Sequence, residues 1–451
     1  MRVSTASRAI LAVGGTVAAA AAGAQTLDTG NTAWVTTASA LVLFMTIPGL
    51  ALFYGGLVRA NNVLSVLLQC FAITCVVSVV WLVAGYSLAF GNSVSMLIGD
   101  LSRFLYSDVG EGTMFGSIPE SSYATFQLTF AIIAPALMVG AFVERMRFSA
   151  VLLLTVAWSL LVYSPVAHWV WGGGWLGELG LLDYAGGTVV HVTAGTGALV
   201  AAIMIGPRQG FPERTKPPHS MVLTIVGAAM LWVGWFGFNG GSALGANGDA
   251  TMAIASTQVS AATGALVWMG MEWIRDGKPT ALGATIGMVA GLATITPASG
   301  FVGPGGALAM GLIGGLVCFL VTALVKRKFK IDDSLDVFPV HAVGGGLGTA
   351  LAAVFASNAL GVFSGQHGID ISDQIGVQVL GVLVIAFYTA VVTWVLLKII
   401  GAIVPIRVSS EEEADGLDVL FHGERGYVMS AHEQAQDALP ISKQPTTETR
   451  S

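Results

Sequence analysis

The stretch DYAGGTVVH, Asp183 to His191, sets an acid and two adjacent glycines at the head of an apolar run that carries a histidine to membrane depth. The chain repeats the arrangement as DSLDVFPVH, Asp333 to His341, again with an acid eight residues ahead of a histidine that begins a Gly/Ala-rich apolar run. Ionisable side chains inside apolar spans are expensive and face a bundle interior or a cavity. Two of them at matching places imply one shared pathway, centred on His191 and His341.

Composition supplies the setting. Of 451 residues, 54% are hydrophobic and 10% charged, against about 25% charged in a soluble domain, so the chain reads as an all-α polytopic membrane protein. Its 58 glycines suit helices that pack by close backbone approach. The net charge of −6 implies no nucleic-acid partner. Cys70, Cys75 and Cys318 lie in apolar runs without disulfide or metal-ligand spacing and read as small buried hydrophobes. No P-loop or other soluble-enzyme motif is present, and no cofactor or metal is expected.

At the start, Arg2 and Arg8 precede an apolar run from Ala9 to Ala22 that closes on Ala22-Gly23-Ala24. The run is about 14 residues, short of the roughly 20 needed to span hydrocarbon, and it ends on a small-x-small site. Residues 1–24 therefore read as a cleaved signal peptide, 25–406 as the membrane domain and 407–451 as a tail.

Eleven apolar segments follow, at 34–56, 63–90, 123–143, 149–168, 187–206, 220–240, 252–273, 280–296, 305–325, 338–356 and 375–404. Alternate loops hold Arg59; Arg145 and Arg147; Arg208, Arg214 and Lys216; Arg275 and Lys278; and Lys326, Arg327, Lys328 and Lys330, whereas the opposite loops hold only Arg103. The positive-inside rule makes the basic loops cytoplasmic, the mature N-terminus external and the C-terminus cytoplasmic, in an inner (plasma) membrane. An odd count divides into five, five and one, and the histidines open the fifth and tenth spans, which run in opposite directions. That is an inverted repeat with an eleventh helix added, an arrangement that places a transport site at the midplane.

Several residues carry bland readings on spacing alone. His168, at the end of the fourth span, reads as a satisfied core histidine. Trp171 and Trp175 can be interfacial anchors. Phe126 and Phe130, four apart on one helical face, read as core. Past Ile406 the chain turns polar, and its last twenty or so residues are expected to be disordered. The tail segment GLDVLFHGERGY (Gly416, Leu417, Asp418, His422, Gly423, Glu424 and Tyr427 among its members) is too patterned for an idle end. Leu417, Val419 and Leu420 are expected to pack on the cytoplasmic face, with Asp418 and Glu424 pairing with Arg145 or Lys330.

The motifs LVLFMTIPGLALFYGGLVR, GAFVERMRFSA, SPVAHWVWGGGW, DYAGGTVVH, GWFGFNGGSA, TPASGFVGPGGAL, DDSLDVFPVH and GLDVLFHGERGY together resemble the ammonium transporters of the Amt/Mep/Rh superfamily, on the bacterial Amt side, over essentially the whole mature chain. The resemblance implies a homotrimer of eleven-helix subunits, each with its own narrow pore moving ammonium inward. It also implies site roles: His191 and His341 as hydrogen-bonded pore histidines, Trp171, Ser242 and Phe126 as an outer recruitment site with Asp183 near it, and Phe130 and Phe238 as gate rings. It further implies that a PII-type signal protein can dock on the cytoplasmic face and block conduction.

Ammonium matches potassium in size and charge, so chemistry must separate them. Ammonium can leave a proton behind and continue as ammonia, which loses far less on entering an apolar pore. Asp183, just ahead of a helix, is expected to cap backbone N–H groups rather than to ligate the cation. Two readings compete with the electrogenic transporter: an ammonium sensor of the same fold, weighed down by the absence of a kinase, cyclase or histidine-rich output segment in the sequence, and a neutral gas channel.

Overall fold

In the computed structural model, which describes residues 26–357 and 370–427, the apolar runs are all helical. The segment read as a signal peptide and the polar end expected to be disordered lie outside the described residues. Eleven helices are long and apolar enough to cross a membrane: α1 Thr29–Leu57, α2 Ala60–Phe90, α3 Glu120–Phe142, α4 Phe148–Glu178, α5 Gly187–Ile205, α6 Met221–Gly241, α7 Gly248–Asp276, α8 Ala281–Ala298, α9 Pro304–Lys328, α10 Phe338–Phe355 and α11 Ile371–Ile403. Two short helices follow, α12 Ser410–Asp415 and α13 Leu417–His422.

Several helices begin earlier than hydropathy predicts because a polar residue caps them. Asp28 Oδ1 accepts from the Asn31 N–H at 2.8 Å and Asn247 Oδ1 from the Ala250 N–H at 3.0 Å. Asp370 caps α11 in the same way, and Thr280 caps α8, which begins where hydropathy places it. Each cap satisfies one of the orphan donors of a first helical turn. The long loop after α2 also departs from an all-helical picture. It folds into two minimal hairpins, β1 Ser93–Val94 with β2 Ile98–Gly99, and β3 Met114–Phe115 with β4 Ile118–Pro119.

The helices are not equally central. In α3, 89% of the most apolar window is buried, against 28% in α11. α3 is thus the hub, and α11 lies at the periphery with Phe387, Leu383 and Trp394 exposed on its outer side. Cys70 and Cys318 are buried, but Cys75 is exposed on the outer side of α2, correcting its reading as a buried residue. The apolar run could not reveal this, because lipid-facing and core positions are equally apolar in a membrane helix.

The two histidine-bearing helices open alike. Each begins with a widened π-type turn of six residues, Gly187–Val192 and Phe338–Val343. In each, the acid five residues ahead accepts a backbone N–H across the loop: Asp183 Oδ2 from Thr188 and Asp333 Oδ2 from Phe338, both at 2.7 Å. Widened turns also interrupt α1, α2 and α4 and end α9, but among the described residues those of α5 and α10 are the ones that open a spanning helix. Their recurrence in two helices of opposite direction is the structural counterpart of the sequence echo.

The basic loops are tied together by ion pairs. Glu144 meets Arg59 at 3.1 Å and Arg208 at 3.2 Å. Burial alone would raise its carboxyl, but the two guanidiniums outweigh burial and hold it at about 2. Arg145 is fully buried and donates to the carbonyls of Gly206, Ala141 and Asp332 and to Ser334 Oγ. One side chain thereby joins the loops after α3, α5 and α9.

That finding corrects the expected pairing of the tail. Arg145 is occupied by Asp332, 3.8 Å away, and Asp418 makes no ion pair with it. Instead Asp418 accepts the Ser65 N–H at 2.8 Å and the Leu64 N–H at 3.1 Å, capping α2 from the far end of the chain. Glu424 is exposed, and among the described residues no ion pair joins it to Arg145 or Lys330. Leu417 is fully buried, as expected, but Val419 and Leu420 are about half exposed at 51% and 44%. The polar partners of the docked tail are backbone groups, which loop charges could not disclose. Its apolar content is half spent on a single residue.

Candidate conduction site

Five helices contribute one line of rings. Phe126 and Phe130, a turn apart on α3, meet edge-to-face at 4.9 Å. Trp171 stands where α4 leaves helical geometry ahead of its glycines, and its indole N–H donates to the Asp183 carbonyl at 2.9 Å. This bond fixes the ring, partly exposed, perpendicular to Phe130 at 5.9 Å. Phe130 in turn stacks on Phe238 of α6 with centroids 4.2 Å apart. Phe238 faces His191 at 5.9 Å, and His191 faces His341 of α10 at 5.2 Å. The order Trp171, Phe130, Phe238, His191, His341 runs from the glycine-rich loop face that is poor in basic residues into the centre of the bundle.

The histidine pair lies beneath the stacked phenylalanines. His191 and His341 are 1% and 4% exposed, and their Nδ1 atoms are 3.3 Å apart. A hydrogen bond at that position requires one Nδ1–H donor and one bare Nδ1 acceptor. In the neutral pair the donor ring therefore has a bare Nε2 and the acceptor ring an Nε2–H. Those roles exchange when a proton arrives at the bare Nε2, the shared proton crosses the Nδ1–Nδ1 contact and the proton on the other ring's Nε2 departs, so that each ring ends neutral. His191 Nε2 has no protein partner among the described residues, so it is free to meet a passing molecule.

The pair is held from the side. Trp235 stacks on His191 at 5.4 Å and lies 5.6 Å from Phe238, and its indole N–H donates to Thr296 Oγ1 at 2.8 Å. The backbones of α5 and α10 approach so closely that a Cβ on Gly345 would meet the His191 Cβ at 2.6 Å. Only glycine permits this crossing, which is why a Gly/Ala-rich run accompanies the histidine.

Asp183 faces the backbone, not the column. Its Oδ1 accepts from the N–H groups of Gly186 and Gly187 at 2.8 and 2.6 Å, and its Oδ2 from Thr188 and Val189 at 2.7 and 3.2 Å, with the Thr188 hydroxyl a fifth donor. Burial pushes this carboxyl up, against donors that favour its charged form. Gly186, at φ 110°, turns the chain so that these N–H groups converge.

Ser242, at the end of α6, is partly exposed and donates to the Phe238 carbonyl at 2.8 Å, which leaves its oxygen lone pairs for an external donor. Gly241 beside it lies against the Phe126 ring. His168 is the satisfied core residue its position implied, with Ser93 Oγ and the Ala89 carbonyl each at 2.9 Å. The sequence reading missed Trp235 and Thr296. A Trp in an apolar run carries no signal of its own, although a buried indole N–H needs an acceptor and a threonine at membrane depth is a natural one. Among the described residues, no group of acids, histidines and cysteines could hold a metal ion.

If Trp171 supplies a ring face to a cation, Trp171→Leu raises the half-saturating ammonium concentration about 2- to 30-fold, the value of one cation–π contact. Substrate titration of transport, with melting of the purified variant alongside, checks this. An unchanged titration with a large loss of thermal stability would return Trp171 to an anchoring role.

Eleven spans enclosing a buried polar pair define a multi-pass membrane transporter. The Ammonium Transporter Family model matches residues 33–427. The chain is 46% identical over 408 residues to an ammonium transporter of Aquifex aeolicus, covering 89% of this chain and 94% of that one, and 44% identical over 407 residues to one of Bacillus subtilis, covering 89% and 99%. Its fold matches a sensor Amt protein with a TM-score of 0.80 at 32% identity, covering 87% of this chain and 98% of that one. It matches Mep2 of Saccharomyces cerevisiae at 0.78 and 37%, covering 86% and 89%. The chain belongs to the ammonium transporter family, a family of transporters rather than enzymes.

Proposed function

We propose that this protein moves ammonium inward with net charge, by recruiting the cation at the outer ring site, removing its proton and passing ammonia along the histidine pair. The observation that carries the reading is the column itself: stacked rings at 4.2 Å followed by imidazoles bonded through Nδ1 at 3.3 Å. A hydrated cation has nothing in that column to replace its water. Ammonia can exchange hydrogen bonds with the buried, unpartnered His191 Nε2, while the proton has its own route through a pair able to swap donor and acceptor roles. Trp171, Phe126 and Ser242 collect the cation, Phe130 and Phe238 close the column between visits, and Asp183 shapes the entry by fixing the first turn of α5. The basic loops face the cytoplasm and the protein works in the inner membrane as a homotrimer. Purified protein in liposomes is expected to give saturable ammonium currents and no potassium current. Equal currents for the two ions would refute selection by deprotonation.

The docked tail gives this reading a regulatory side. Gly416, at φ 93°, lies so close to Asn61 that any side chain there collides with it, and the Leu417 N–H donates to Asn62 Oδ1 at 2.8 Å. Tyr427 OH reaches His219 Nε2 at 3.2 Å, and His422 meets Phe148 edge-on at 5.2 Å. The tail thereby holds the loops that a PII-type protein would approach. Deleting residues 416–451 is expected to lower transport, and Gly416→Asp in one subunit of a mixed trimer to impair its neighbours. Activity that simply tracks the fraction of intact subunits would exclude coupling through the tail.

A further inference from the structure

The acids that head the two histidine-bearing helices are matched in place but not in bonding. Asp183 has five donors on its two oxygens. Asp333 is fully buried, and its Oδ2 takes the Phe338 N–H at 2.7 Å. Its Oδ1, equally buried, has no hydrogen-bond partner among the described residues. A bare carboxylate oxygen away from water costs more than a protonated one, because its charge loses the solvation it needs.

The surroundings favour the protonated form without enforcing it. Asp336, on the same loop, is paired with Lys326 at the end of α9 at 2.7 Å. From α1, Tyr54 points its hydroxyl at the Leu137 carbonyl at 3.0 Å. Tyr54 and Val337 close together on Gly140, which seals the site from the α3 side. Burial first, and then the charge of Asp336, push the Asp333 carboxyl up to about 7, against the Phe338 N–H, Lys326 and the Val337 N–H. Asp333 can therefore both hold and release a proton near neutral pH. Phe338 precedes His341 by one helical turn, about 5 Å of rise, so the carboxyl sits at the end of the histidine pair nearest the basic loops.

We propose that Asp333 is the inner proton station: its unpartnered oxygen holds the proton that has crossed the histidine pair and returns it to ammonia leaving the column. This rests on the reading of separate proton and ammonia movement given above. In the step, the O–H bond of the Asp333 carboxyl breaks and an N–H bond forms on ammonia, giving ammonium and the Asp333 carboxylate. The next proton to cross the histidine pair restores the acid, and no electrons are transferred.

The test uses the full-length protein in liposomes, with internal pH varied at fixed external pH. In the wild type, current falls as internal pH rises through about 7, because the donor form is lost. Asp333→Asn keeps an acceptor for Phe338 but cannot carry the proton. It should reduce maximal current about 100-fold, the worth of a positioned acid, and abolish the internal-pH dependence, with half-saturating external ammonium unchanged. Asp336→Asn removes a like charge and releases Lys326, so it should move the internal midpoint down by about one unit. This second variant decides the matter even where Asp333→Asn fails to assemble. Wild-type current and pH dependence in Asp333→Asn, or an unmoved midpoint in Asp336→Asn, would overturn the proposal. A wild type without any ammonium-specific current would instead overturn the underlying reading.

Discussion

Replacing both His191 and His341 by alanine is expected to remove proton-coupled ammonium current altogether. The two imidazoles are buried and bonded to each other, and no other histidine among the described residues is ring-packed into the column. An acid–base group positioned for transfer contributes about 10²- to 10⁴-fold, and losing two in series takes the current to background. The substitution also opens space beneath Phe238, whose ring lies 5.9 Å from His191. Water entering there would let hydrated cations follow. A gain of potassium current in the double variant is therefore the stronger signature, because it shows that the apolar imidazole pair was excluding ions. Normal ammonium-specific current in the same variant would end the relay account.

Asp183→Ala is expected to cost about 4 kcal/mol or more of stability, since each buried donor left unpaired costs about 1–3 kcal/mol. Four backbone N–H groups and the Thr188 hydroxyl converge on this carboxylate. The entry turn carries the Asp183 carbonyl that fixes Trp171, so transport should disappear together with the fold of the outer mouth. Thermal melting of the purified protein, run beside transport, separates the alternatives. A variant that melts like the wild type yet does not transport would show that Asp183 acts on the cation itself and not through the backbone.

The parts of this architecture that were legible from sequence share one physical cause. Charge is so rare in the apolar runs that His191, His341 and the loop arginines stand out; the arginines mark the spans, and the two histidines meet inside the bundle. Asp183 was readable as a cap because an acid before glycines at a helix start has little else to bond. The aromatic column was not readable from spacing: Phe126 and Phe130 look like any core stripe, and only motif resemblance separated them from it. Trp235 went unnoticed for the same reason. The tail was misread in its partners because Asp418 satisfies backbone N–H groups of α2, and backbone donors leave no trace in a list of side-chain charges. Helix starts were placed late at Asp28 and Asn247 because hydropathy registers where lipid contact begins, whereas the helix begins at its cap.

The central claim is that a substrate which crosses the column as ammonia nevertheless brings its proton's charge with it. Counting transported charge and accumulated ammonium together, in the same liposomes and over the same interval, tests this most directly. The account predicts one inward charge for each ammonium accumulated, with potassium moving none. Accumulation of ammonium with no accompanying charge would contradict it and leave a neutral gas channel in its place.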